Sequence, residues 1–262
     1  MNSNYNRDFE NPYFENENRT EPGRSFTFGA MDAAHETLSS YTASTFLWMA
    51  LGLFVTFAVS FGLAVSGMLE RLLMGGAFTV LLIAATIGEL ALVVILGSMI
   101  RKLSVGSARA MFLGYAALTG FTFSMYFYIF DFSILIFSFG AAALLFVGMA
   151  VASRVFNLEL TSIRPYLFAG LIALLIFGLI GMFTSLGVFE IAVSYLGVAV
   201  FLGYTAYDTT KIRDNYYYYS RIGDSDMLAK TSVYSALQLY LDFINLFIYI
   251  LRILSRNSGR RR

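Results

Sequence analysis

The chain predicts an all-α integral membrane protein built as a bundle of seven transmembrane helices, and three observations carry that expectation. Of 262 residues, 58% are hydrophobic and only 13% are charged, against about 25% charged in a water-facing domain. From residue 42 onward, apolar stretches recur at about the 20 residues that cross a bilayer as helix. None of them shows the alternating segments of a membrane β-barrel.

Residues 1–41 read as a polar tail rich in Asn, Glu and Arg. Such a segment buries too little apolar surface to offset chain entropy, so it is expected to be disordered. It lacks the short basic start and early apolar run of a signal peptide, which leaves insertion to the first span. Its aromatics Tyr5, Phe9, Tyr13 and Phe14 are candidates for docking on a partner.

The transmembrane domain is expected over 42–255, with spans at about 42–66, 75–100, 108–130, 133–152, 166–186, 189–207 and 233–254. As helices, all of these satisfy their own backbone groups in lipid. The connections near 131 and 187 are very short, so six spans plus a re-entrant segment is the alternative. Prolines occur only at Pro12, Pro22 and Pro165, outside every long apolar run. Small residues mark the third span (Gly114, Gly120), the fourth (Gly140, Ala141–Ala143), the fifth (Gly170, Gly178, Gly181) and the sixth (Gly197, Gly203). They permit close helix approach, which drives packing where lipid is as apolar as the protein interior. The run Tyr216–Tyr219, beside Arg213 and Arg221, fits an interfacial aromatic belt in the polar connection to the seventh span.

Loop cations set the orientation. On the N-terminal side the short connections hold Arg101, Lys102, Arg109, Arg154, Arg164, Lys211, Arg213, Arg221 and Lys230, whereas the other side holds only Arg71. The N-terminus is therefore expected in the cytoplasm. The basic tail 256–262, together with Arg252, opposes this, because seven spans place it outside.

Charges placed mid-membrane are costly and so are functional candidates by default. Few are present: Glu89 in the second span, Asp208 near the end of the sixth and Asp242 in the seventh. Asp131 and Glu190 fall at span ends and read as interfacial. With a rise of 1.5 Å per residue, Asp242 lies roughly 16 Å from the cytoplasmic side if the seventh helix starts near Thr231, and Asp208 roughly 8 Å if the sixth continues to about Arg213; Arg101 closes the second span on that side. Two carboxylates at hydrogen-bond distance do not both ionise cheaply. If the aspartates meet, they form a latch that is bonded when it holds a proton and repels when ionised, unless a cation enters. Hard oxygen ligands of this kind suit calcium. In the alternative, each aspartate bonds Tyr207, Tyr240 or Asn245 and only fixes packing.

The sequence GYTAYDTTKI, followed by a tyrosine-rich connection and then ALQLYLDFINLFIYILRIL, resembles the Bax inhibitor family of transmembrane proteins. The resemblance spans about 42–255. It implies a bundle with the last helix central and a pH-sensitive calcium leak governed by Asp208 and Asp242 as a paired-aspartate sensor. It further implies Arg101 as a cation able to bind the pair, with Glu89 and Arg252 as candidate ion-path residues. The long tail and the absence of cysteine suggest a bacterial branch in the plasma (inner) membrane. The implied partners are the lipid bilayer, calcium and protons.

Two other classes compete with the leak. The polar tail would suit a membrane interaction protein that regulates a membrane-bound protease. An intramembrane aspartyl protease also carries Tyr-Asp on one helix, as Tyr207–Asp208 does, but its second aspartate follows Gly-x-Gly, where this chain has Leu239, Tyr240 and Leu241. Further chemistry is closed by composition. His35 is the only histidine and there is no cysteine, which removes thiol, Ser–His and His-based zinc chemistry. No lysine lies mid-span for a Schiff base, and the net charge of +1 leaves no footprint for nucleic acid. No enzyme activity and no cofactor are expected.

Overall fold

The computed structural model describes residues 37–156, 160–183 and 187–259. Within them the chain is an all-α integral membrane protein, with no strand among the described residues. The helices are α1 (Leu38–Val65), α2 (Met68–Met74), α3 (Ala77–Met99), α4 (Val105–Ile129), α5 (Phe132–Val155), α6 (Arg164–Phe183), α7 (Gly187–Arg221) and α8 (Ser225–Gly259). Seven of these, all but α2, are long and apolar enough to cross a membrane. The expected tail lies largely outside the described residues, as do His35 and Arg260–Arg262.

Several boundaries differ from the sequence expectation. Helix α1 begins at Leu38, inside the stretch read as tail, because the Thr37 side chain caps it by accepting from the Ser40 N–H at 3.2 Å. Tyr41 is fully buried, and its hydroxyl donates to Thr231 Oγ1 at 3.1 Å. The short α2 was not anticipated. At the other end, α8 continues through Arg256 to Gly259, so the basic tail starts as helix.

The largest difference is the tyrosine-rich connection, which is helical. Helix α7 runs through Tyr216–Tyr219 to Arg221, and only Ile222–Asp224 separate it from α8. Gly223 makes this turn at φ 70°, a left-handed conformation that glycine adopts without steric cost. Asp224 then accepts from the Met227 N–H at 2.9 Å and caps α8. Helices α7 and α8 have 35 residues each, about 52 Å of helix against a hydrocarbon core of about 30 Å. Their joined ends therefore project past the apolar layer, and Lys211, Arg213, Arg221 and Lys230 sit on helix, not in loops.

Helix α8 packs against α1, α4, α5 and α7 and is the most buried of the spans, while α6 is the least buried and packs chiefly on α7. The last helix is thus the central one. Its Tyr240 ring meets Phe112 and Tyr115 of α4 edge-on, at 5.8 and 5.7 Å. Phe243 does the same to Phe139 and Phe146 of α5, at 5.2 and 5.6 Å. The α1–α4 seam closes over Gly120, where an added Cβ would stand 2.7 Å from Val59 Cβ and 2.8 Å from the Thr56 carbonyl oxygen. Outward faces carry Ile83, Ile87, Leu90, Phe137, Leu144 and Val147 exposed, a surface suited to lipid.

Candidate intramembrane aspartate site

The antiparallel register of α7 and α8 builds the site. Phe201 stacks on Tyr249 at 5.9 Å on one side. On the other side, Lys211 Nζ donates to Gln238 Oε1 and Asn215 Nδ2 to Ser235 Oγ, both at 3.4 Å. Between these contacts Asp208 and Asp242 come to the same level. The difference in depth expected from the sequence disappears because both helices extend well beyond their apolar runs.

Asp208 is 6% and Asp242 4% exposed, which places two carboxylates in the interior of the bundle. Asp242 lies within the electrostatic reach of Asp208, and Tyr204, one turn before Asp208, feels both. Asp208 Oδ1 and Asp242 Oδ2 are buried without a hydrogen-bond partner among the described residues. A buried polar atom left unsatisfied in this way costs about 1–3 kcal/mol. Two of the three residues expected to tie the aspartates into packing, Tyr240 and Asn245, are engaged elsewhere. The Tyr240 hydroxyl pairs with Thr56 Oγ1 at 2.6 Å, and Asn245 Nδ2 donates to the Leu241 carbonyl at 2.8 Å.

The cation beside the pair is Lys211, whose charge acts on Asp208 from one turn along α7. Its ammonium also lies 6.0 Å from the centre of the Tyr234 ring. Arg101, expected to serve as that cation, stands exposed in the turn after α3 and makes no ion pair or hydrogen bond among the described residues. It stays outside because α3 ends at Met99, and Arg101 follows beyond its last turn.

Glu89 and Arg252 are not brought together. Glu89 is half-buried on α3 and accepts from Thr122 Oγ1 of α4 at 3.3 Å, with the hydroxyl of Thr119 also in reach. It faces Tyr115 and Tyr240, on a different side of α8 from Asp242. Arg252 stands over the Tyr249 ring at 5.4 Å, near the far end of α8. As for calcium, the described residues contain no group of three or more His, Cys, Asp or Glu side chains able to hold a metal ion. Calcium takes six to eight oxygens. The pair alone therefore suits a passing ion better than a resident one.

The sequence reading missed Lys211, Tyr204, Tyr234 and Gln238 as neighbours of the pair. Lys211 had a legible signal, since it lies three residues after Asp208 and shares its face once the helix is known to continue.

A sequence model of the family described as "Inhibitor of apoptosis-promoting Bax1" matches residues 38–259, the whole helical bundle. Among individual relatives, the inner membrane protein YbhL of Escherichia coli is 37% identical over 225 residues, covering 86% of this chain and 93% of its own. An uncharacterized protein of Borreliella burgdorferi is 32% identical over 229 residues, covering 86% and 93%. One from Deinococcus radiodurans is 33% identical over 219 residues, covering 83% and 91%.

Proposed function

The chain belongs to the Bax inhibitor family, and on that premise we propose that it is a multi-pass protein of the bacterial inner membrane that leaks calcium under proton control, with Asp208 and Asp242 as the gate. The observation that carries this reading is the pair of buried carboxylates at one level of α7 and α8, each with an oxygen that has no hydrogen-bond partner among the described residues. Folding does not benefit from such an arrangement, whereas a site that must exchange protons and admit a cation requires it.

With a proton between them, the two carboxylates hold α7 and α8 together and the path is shut. Once the proton leaves, two negative charges repel at low dielectric, and Lys211 offsets only part of that repulsion. The helices part, water enters, and calcium is drawn to the exposed oxygens. Flux therefore rises with pH. Lys211 takes the role of the nearby cation in place of Arg101. The protein acts without catalysis and without a bound cofactor, and calcium is its cargo. The N-terminus faces the cytoplasm.

The reading is tested by calcium uptake into proteoliposomes containing the full chain or a chain lacking residues 1–35. Flux above that of empty liposomes in both is the expected result. No flux in either would overturn the leak and favour a membrane interaction protein that acts through its tail.

A further inference from the structure

At the end of the bundle remote from the start of α1, a cavity of about 630 Å³ lies between α6, α7 and α8. Its lining includes Phe130 at the end of α4 and Phe189 and Glu190 in the first turn of α7, so it sits at the depth where spans meet the headgroup layer. Two cations, Arg252 and Arg256, enter it from successive turns of α8. Glu190 is the only carboxylate among the described lining residues, and it is engaged by Arg256 Nη1 at 2.8 Å. The Arg252 guanidinium has no carboxylate partner among the described residues and rests over Tyr249. The cavity therefore keeps one positive charge in excess.

The remaining walls are apolar or open. Phe177 and Phe189 meet edge-on at 5.3 Å. At Gly178 and Gly181, both on the lining face of α6, an added Cβ would find no atom within 4 Å. A volume of this size lies within the roughly 300–1,000 Å³ range of small-molecule sites. An occupant must bring a negative charge toward Arg252 and Arg256 and an apolar part against the two phenylalanines, at bilayer depth.

We propose that this cavity binds an anionic phospholipid, its phosphodiester between Arg252 and Arg256 and the start of one acyl chain against Phe177 and Phe189. Guanidinium forks match phosphate oxygens bidentately, and basic pockets between transmembrane helices suit anionic headgroups. Glu190 sets the strength of the site, because the phosphodiester must share Arg256 with it. The site is separate from the aspartate pair, on a later stretch of α8, and does not depend on calcium transport.

Native mass spectrometry of the full chain, released from mixed micelles of matched-chain phosphatidylglycerol and phosphatidylcholine, tests the proposal. The wild type is expected to retain phosphatidylglycerol roughly fivefold over phosphatidylcholine, the worth of about one net positive charge at an anionic surface. The double substitution Arg252→Gln/Arg256→Gln is expected to abolish that preference. Gly181→Leu, which fills the cavity and leaves both arginines, is expected to reduce total lipid retained. Arg101→Gln, at the opposite end, is expected to change neither. Equal retention of the two lipids, or a preference that survives both cavity variants, would overturn the proposal. Displacement of the lipid by millimolar glycerol phosphate would also overturn it, by making a soluble phosphate ester the ligand.

Discussion

Replacing Asp242 by asparagine should make the bundle more stable, because the native side chain is badly satisfied where it sits. Asp242 is 4% exposed, its Oδ2 has no hydrogen-bond partner among the described residues, and it feels the charge of Asp208, which also has an oxygen unpartnered among them. One such atom costs about 1–3 kcal/mol. The amide introduced by Asp242→Asn has nearly the same shape, so it leaves no cavity, and above the pH at which the pair loses its shared proton its N–H groups can donate to Asp208 where two acceptors stood before. A net gain of about 1–3 kcal/mol follows. At about 2–4 °C per kcal/mol for a chain of this size, the unfolding midpoint should rise by roughly 2–12 °C. Far-UV circular dichroism during reversible unfolding in mixed micelles reads that shift. Were the aspartates there to fix packing, their loss would destabilise the protein, so a fall of about 1 kcal/mol or more would refute the reasoning.

Five further substitutions separate the site from its scaffold. Gly120→Ala forces a Cβ against Val59 and the Thr56 carbonyl and should cost about 1–3 kcal/mol. Gly140→Ala meets nothing within 4 Å and should gain about 0.5–1 kcal/mol, both read by the same unfolding assay. Tyr240→Phe removes the 2.6 Å bond to Thr56 and should cost about 0.5–1.5 kcal/mol while leaving the pH response of calcium flux unchanged, since Tyr240 faces α1 and α4 and not the pair. Lys211→Met removes the positive charge beside Asp208, so the midpoint of the pH–flux curve should move to higher pH, whereas Arg101→Gln should leave it in place.

Much of this architecture was legible because lipid imposes a length and a composition on every span. The positions of Glu89, Asp208 and Asp242 stood out for the same reason, as charges in runs that otherwise exclude them. Hydropathy failed where helices leave the membrane. The apolar run of α7 ends near Tyr207, but the helix continues for fourteen more residues to Arg221, so Lys211 was assigned to a loop and lost as a neighbour of Asp208. Register was also beyond reach. The meeting of Asp208 and Asp242 depends on contacts such as Phe201 with Tyr249 and Lys211 with Gln238, which no periodicity within either helix encodes. Arg101 shows the converse error, in which similar depth was taken for proximity although the end of α3 leaves it facing outward.

Calcium flux into proteoliposomes, followed between about pH 6 and 8 for the wild type, Asp208→Asn and Asp242→Asn, tests the gate most directly. Flux in the wild type should increase with pH, and each substitution should flatten the curve, because a carboxylate beside an amide no longer forms a proton-sharing pair. A pH–flux curve that either substitution leaves unchanged would contradict the assignment of the aspartates as the gate.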